Sequence, residues 1–133
     1  MQELIIEAKT ENLDEVLDFV GGLLEMVECP MKLQTQIAIA VEEIFVNICH
    51  YAYNPDSGNV TVRVMAEDNI EIEFEDSGKP YNPLEKGDPD ITKGVEEREI
   101  GGLGIFMVKN IMDAVEYRYE FDKNILKIKK QVL

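Results

Sequence analysis

The sequence predicts a two-layer α/β sandwich: a mixed, mostly antiparallel sheet with its helices on one face. Three observations carry this. The apolar pattern switches between strand and helix periods in the order β-α-α-β-β-loop-α-β-β. Consecutive strands are joined by tight turns, which favours antiparallel pairing and helices gathered on one side. The chain has 133 residues, 45% apolar and 30% charged, enough for one domain with one sizeable core.

The elements follow in order. Residues 3 to 9 read as a short first strand. Asn12 is placed to cap a helix whose Leu13, Val16, Leu17, Val20 and Leu24 recur at helical spacing. Cys29-Pro30 ends that segment, because proline cannot continue a helix. Leu33, Ile37, Val41, Ile44 and Ile48 mark one stripe of a long second helix ending near Asn54-Pro55. Asp56-Ser57-Gly58-Asn59 is turn chemistry. Two strands follow, about 60 to 66 and 69 to 75, joined at Asp68-Asn69. Residues 77 to 99 hold Pro80, Pro83, Pro89, Gly87 and Gly94 and sustain no period. A connection that long is a lid, a binding loop or disorder. Gly101 to Asp113 returns to helix. Val115 to Phe121 and Ile125 to Val132 alternate around a turn at Asp122-Lys123-Asn124. Residues 1 to 133 thus form a single domain without internal repeats.

Composition excludes several function classes. A net charge of −14 repels phosphate backbones and anionic lipid, so neither nucleic acid nor a membrane surface is an expected partner. Cys29 and Cys49 have no metal-site spacing and lie in apolar helical contexts, as buried free thiols do. The start, MQELIIEAKTEN, lacks the basic and apolar regions of a signal peptide, and no run approaches a membrane span. The expected location is the cytoplasm.

Three stretches carry chemistry. On the second helix, at about 100° per residue, Glu42 points to solvent. Glu43 borders the apolar stripe, with Asn47 above it on the same face. That pair reads either as two boundary residues or as a general base beside an oxygen ligand for Mg²⁺. Asp76 ends an alternating strand and opens EDSGKPYNP. It is either a turn residue or a buried carboxylate that accepts a hydrogen bond from a purine's exocyclic amine, with Gly78 leaving room for the ring. In GGLGIFMVKNIMD, Gly101, Gly102 and Gly104 open an apolar helix whose unpaired N–H groups suit phosphate; a flexible hinge is the alternative. There is no Walker A sequence. The segment also fails as a Rossmann fingerprint, since Met107 stands where the last glycine belongs. His50, the lone histidine, has no partner at ligand spacing and reads as structural. Tyr51 and Tyr53 read as packing residues at the helix end.

In order and spacing, VEEIFVNICHYAY, FEDSGKPYNP and GGLGIFMVKNIMDAVEY resemble the N, G1 and G2 boxes of the GHKL ATPases, whose ATP-binding domain is the Bergerat fold. Within that superfamily the match is closest to the anti-sigma-factor serine kinases of the RsbW type, over nearly the whole chain. The resemblance implies ATP and Mg²⁺ as cofactors, with Glu43 catalytic and Asn47 a Mg²⁺ ligand. It implies that Asp76 binds the adenine amine, that Gly78 lines the base pocket, and that Gly101, Gly102 and Gly104 meet the phosphates. Residues 81 to 100 would be the ATP lid. The implied activity is serine/threonine phosphorylation of a STAS-domain anti-anti-sigma partner that competes with a sigma factor, by a chain that can form a homodimer. Two further readings share the fold: a nucleotide-responsive module that sequesters a partner without phosphotransfer, and a relative that has lost ATP. The chain departs from the family in placing Tyr51 four residues after Asn47, where a histidine is common, and Pro80 where many relatives have glycine.

Overall fold

The computed structural model describes residues 1–53, 57–85 and 102–132. Strand β1 is Gln2–Glu7, helix α1 Leu13–Met26, helix α2 Met31–Tyr51, and strands β2 and β3 are Asn59–Ala66 and Asn69–Asp76. Helix α3 is Gly102–Ile111, and β4 (Ala114–Glu120) and β5 (Lys123–Gln131) close the chain. The element order is the expected one. The five strands form one sheet in the order β1-β2-β3-β5-β4, every pairing antiparallel.

One face of the sheet is apolar. Val60, Val62 and Val64 of β2, Ile70, Ile72 and Phe74 of β3, and Leu126 and Ile128 of β5 are buried at alternate positions, as a pleated strand requires. Against this face lie Val16, Val20 and Leu24 of α1, Ile37, Val41, Ile44 and Ile48 of α2, and Val108 of α3, in one contiguous core. The other face is a ladder of charge. Arg63 bridges Glu3 at 2.8 Å and Glu75 at 3.3 Å, Lys127 reaches Glu73 at 3.7 Å, and Lys129 lies 3.4 Å from Glu116. Such pairs add little stability singly. Together they keep that face wet.

Three local expectations are corrected. Asn12 does not cap α1 through its side chain, which instead donates to the Glu7 carbonyl at 2.9 Å; a short 3₁₀ turn, Thr10–Asn12, leads into the helix. The β4–β5 turn is Phe121-Asp122, with φ of 55° and 60°, so Lys123 and Asn124 belong to β5. Two positive φ values are what a tight two-residue hairpin demands, and they let the strands keep their twist. Cys29 is buried as expected, whereas Cys49 is only partly buried, and burial pushes its thiol up to about 11.

Helix α1 ends on a left-handed residue that is not glycine. Glu28 has φ 55°, its N–H donates to Glu25 and the Cys29 N–H donates to Leu24, each at 3.0 Å. This is a Schellman end, which favours glycine because a Cβ costs energy in that region. Glu28→Gly is expected to stabilise the fold by about 1 kcal/mol, measured by chemical denaturation; an unchanged midpoint would show that Glu28 is unstrained.

Candidate functional site

Buried alternation on β3 runs Ile70, Ile72, Phe74, and then Asp76, so the period delivers a carboxylate to a core position. Asp76 is 6% exposed. Its register partner on β5 is Asn124, also 6% exposed and equally at odds with the apolar row. The two are the buried polar side chains of the described core, and they bond to each other: Asn124 Nδ2 donates to Asp76 Oδ1 at 2.9 Å. The Gly78 N–H donates to the same oxygen at 2.9 Å. Neither of these two donors engages Oδ2. Burial holds the Asp76 carboxyl above the ordinary aspartate range, against the opposing pull of those two donors, and the Glu75 charge adds to the rise.

A cavity opens over this carboxylate. Its apolar walls include Ile44, Phe74 and Leu126; its polar lining includes Asn47, Tyr51, Asp76, Tyr81, Tyr117 and Asn124. Apolar walls with a few convergent polar groups are the make-up of a small-molecule site. Tyr81, from the segment after β3, stacks on Tyr51 with ring centroids 5.3 Å apart and planes 18° apart. His50 is exposed and meets Tyr51 edge-on, outside the cavity lining.

Helix α2 ties this cavity to a second feature. Glu42 is exposed, and Glu43 is partly buried one turn before Asn47. Burial, reinforced by the neighbouring Glu42 charge, holds the Glu43 carboxyl above the ordinary glutamate range. Its Oε2 lies against the first turn of α3: a Cβ built on Gly104 would stand 2.3 Å from it. Gly104 thus lacks a side chain where the α3 terminus meets a carboxylate. Gly102 opens α3, and Gly101 lies outside the described residues. The sequence-predicted residues therefore form two groups. Asn47 and Asp76 share the cavity, Glu43 and Gly104 touch, and one turn of α2 joins the groups.

Gly78 is bound to a different neighbour from the one expected. It is absent from the cavity lining, and a Cβ there would fall 2.2 Å from the Ala52 carbonyl oxygen at the end of α2. The Lys79 N–H donates to that same carbonyl at 3.0 Å. Its clearance lets the strand exit press backbone to backbone on α2, which places Asp76. Gly78→Ala is expected to cost about 2–3 kcal/mol by overpacking, read as a fall in the urea midpoint; a loss under about 0.5 kcal/mol would show that the contact gives way. Tyr53 is more than packing. Its hydroxyl donates to the Asn59 carbonyl at 2.6 Å and accepts the Ser77 N–H at 2.7 Å, pinning the start of β2 to the residue after Asp76.

Of the expected lid, residues 81 to 85 are described, with a 3₁₀ turn at Pro83–Glu85; residues 86 to 100 lie outside the described residues. Among the described residues no His, Cys, Asp or Glu cluster of three could hold a metal ion, and no helix is long and apolar enough to cross a membrane.

Residues 6–130 match the family model described as the histidine kinase-like ATPase domain. The chain belongs to that family. The ATPase domain is 27% identical over 132 residues to the serine-protein kinase RsbW of Bacillus mycoides (strain KBAB4), and 28% identical to RsbW of Bacillus cereus (strain ATCC 10987 / NRS 248). Each alignment covers 96% of this chain and 82% of the relative. Among solved structures it is similar to the Acinetobacter baumannii histidine kinase AdeS, with a TM-score of 0.54 at 11% identity, over 99% of this chain and 69% of that one. That likeness speaks for the fold alone. Membership of an ATPase family implies a nucleotide as the ligand class.

Sequence reasoning missed Asn124, Tyr117 and Tyr81. In the sequence Asn124 reads as part of a turn. An asparagine after Asp and Lys looks like turn chemistry, and only the two-residue hairpin puts it inside the sheet opposite Asp76.

Proposed function

We propose that this domain is an ATP- and Mg²⁺-dependent serine/threonine protein kinase acting as an anti-sigma factor, with a STAS-domain anti-anti-sigma protein as its substrate. The observation that carries the reading is a pair of carboxylates, Asp76 at the end of β3 and Glu43 on α2, set on either side of Asn47. Asp76 lines an apolar cavity, with the Asn124 and Gly78 donors on one oxygen; Glu43 lies against a glycine at a helix terminus. The RsbW relatives are serine-protein kinases by name and match this chain nearly end to end, which supports the substrate class.

The residues fit the nucleotide. Asp76 would accept a hydrogen bond from the exocyclic amine of adenine, and the apolar walls would take the ring. The α3 terminus supplies N–H groups and a positive dipole end for phosphate. Asn47 lines the same cavity and offers a side-chain oxygen for Mg²⁺; with no acidic cluster among the described residues, phosphate and water would complete the ion's shell. Bound ATP·Mg²⁺ supplies the phosphoryl group and the charge that neutralises it.

Glu43 orients the serine hydroxyl and takes its proton. A carboxylate whose pKa is raised by burial is the stronger base for that task. Positioning and fixed dipoles supply most of the rate in such transfers. In this reading the kinase works in the cytoplasm, and the unphosphorylated substrate competes with a sigma factor for it. The test is transfer of labelled γ-phosphate from ATP to a purified STAS-domain protein. Transfer that needs Mg²⁺ establishes the kinase. Calorimetric ATP binding without transfer leaves a nucleotide-responsive binding module, and a flat titration removes ATP altogether.

A further inference from the structure

We infer that Asn124 is the positioning residue for base readout, and that it couples Asp76 to the segment that leaves β3. The inference rests on the ATP reading above. One amide side chain here joins three elements. Its Nδ2 donates to Asp76 Oδ1 at 2.9 Å and to the Lys79 carbonyl at 2.8 Å, with the Gly78 carbonyl at 3.5 Å. Its Oδ1 accepts the Tyr81 N–H at 3.0 Å and the Tyr117 hydroxyl of β4. Two donor hydrogens and two lone pairs are all that an amide has, and all four are engaged.

The consequence for Asp76 is specific. Asn124 and the Gly78 N–H both take Oδ1, so the carboxylate cannot rotate freely without losing two bonds, and both donors hold the same edge of the group. A carboxylate held in this way offers a base one acceptor at one place. The consequence for the strand exit is equally specific. The Lys79 carbonyl and the Tyr81 N–H are held from within the sheet, and Tyr81 in turn stacks on Tyr51 in the cavity lining. Base readout and the anchoring of residues 79–81 thus depend on one side chain. A smaller residue at 124 would leave Asp76 Oδ1, the Lys79 carbonyl and the Tyr81 N–H each short of a partner.

The test compares ATP with purine riboside 5′-triphosphate, which differs only in lacking the 6-amino group. Binding is measured by calorimetry on the full chain. The wild type is expected to prefer ATP by about 10- to 100-fold, the range of a hydrogen bond to a charged group. In Asn124→Ala that preference is expected to shrink to within about 3-fold, because a loose carboxylate no longer reads the amine. The preference for ATP over AMP, which reports the phosphate end, is expected to stay as in the wild type. A merely structural role would weaken all three ligands alike. Tyr117→Phe removes a single bond to Asn124 Oδ1 and guards against misfolding of the alanine variant; its ATP preference is expected to fall by about 2- to 5-fold. A folded Asn124→Ala that keeps the wild-type preference overturns the role of Asn124 alone, as does unchanged preference in Tyr117→Phe. A wild type that binds neither triphosphate overturns the ATP reading and this inference with it.

Discussion

Asp76→Asn is expected to weaken ATP binding by about 100-fold, close to 3 kcal/mol, while leaving the fold as stable as before or more so. The two halves have separate causes. Asparagine keeps the size and one carbonyl oxygen, so the N–H groups of Asn124 and Gly78 still find an acceptor. The atom that changes is the one facing the cavity: an acceptor becomes an NH₂ donor, which opposes the amine of adenine. A site built to receive a hydrogen bond rejects a ligand strongly once that group is reversed. Stability runs the other way because burial penalises the ionised carboxylate. A raised native pKa means that the folded state holds its proton longer than the unfolded state. Stability is therefore greatest below the unfolded value, near 3.8, and declines as pH rises through the folded value. At neutral pH the wild type bears that penalty and the amide does not. Calorimetry for ATP and denaturant unfolding at neutral pH check both halves. Loss of stability together with undiminished affinity would make Asp76 a structural acid. For the wild type, nucleotide affinity is expected to fall on acidification at a higher pH than for an ordinary aspartate, because the protonated acid can no longer accept from the amine.

How far this site could be read in the chain depends on what kind of signal each residue leaves. Asp76, Glu43, Asn47 and Gly104 leave local signals. The acid breaks an alternation, the glutamate and asparagine share a helix face, and the glycine costs helix stability without local return. The helix and strand order was equally legible, since apolar periods carry it. Asn124 leaves no such mark. Its identity matters because β5 pairs with β3 in the register that sets 124 against 76, and a register between strands almost fifty residues apart is a property of the assembled sheet. The real reason for Gly78 was hidden likewise. The tandem of Asp, Ser and Gly spells a turn, while its crowding comes from Ala52, at the end of a helix that precedes it by two strands' worth of chain. Asn12 erred in the opposite direction. A capping residue stood in a capping position, yet the carbonyl of Glu7, where β1 ends, was the nearer partner.

Glu43→Gln is expected to lower phosphoryl transfer by about 10²- to 10⁴-fold, the usual worth of a positioned general base, with ATP affinity within about 3-fold of wild type. The side chain is partly buried against α3 and outside the cavity lining, so its amide should fit where the acid did. What is lost is the capacity to take a proton. The pH profile separates this role from electrostatic support of the fold. A base must be ionised to act, so the wild-type rate falls as pH drops through the Glu43 pKa. Burial first, and the Glu42 charge second, raise that pKa, which sets the limb above the ordinary glutamate value of 4.5. Glu42→Gln removes the like charge and is expected to shift the limb to lower pH; Glu43→Gln is expected to erase it. Gly104→Ala attacks the same carboxylate from the other side. The new methyl would stand 2.3 Å from Oε2 and 3.2 Å from Cδ, and the flexible end of the glutamate yields more cheaply than the helix. Transfer is expected to drop about tenfold while stability holds or rises by up to about 1 kcal/mol, since alanine suits a helix better than glycine. Because both lesions act on one group, adding Gly104→Ala to Glu43→Gln should slow transfer little further. Full additivity of the two would mean that the glycine serves the phosphates directly and that its contact with Glu43 is incidental.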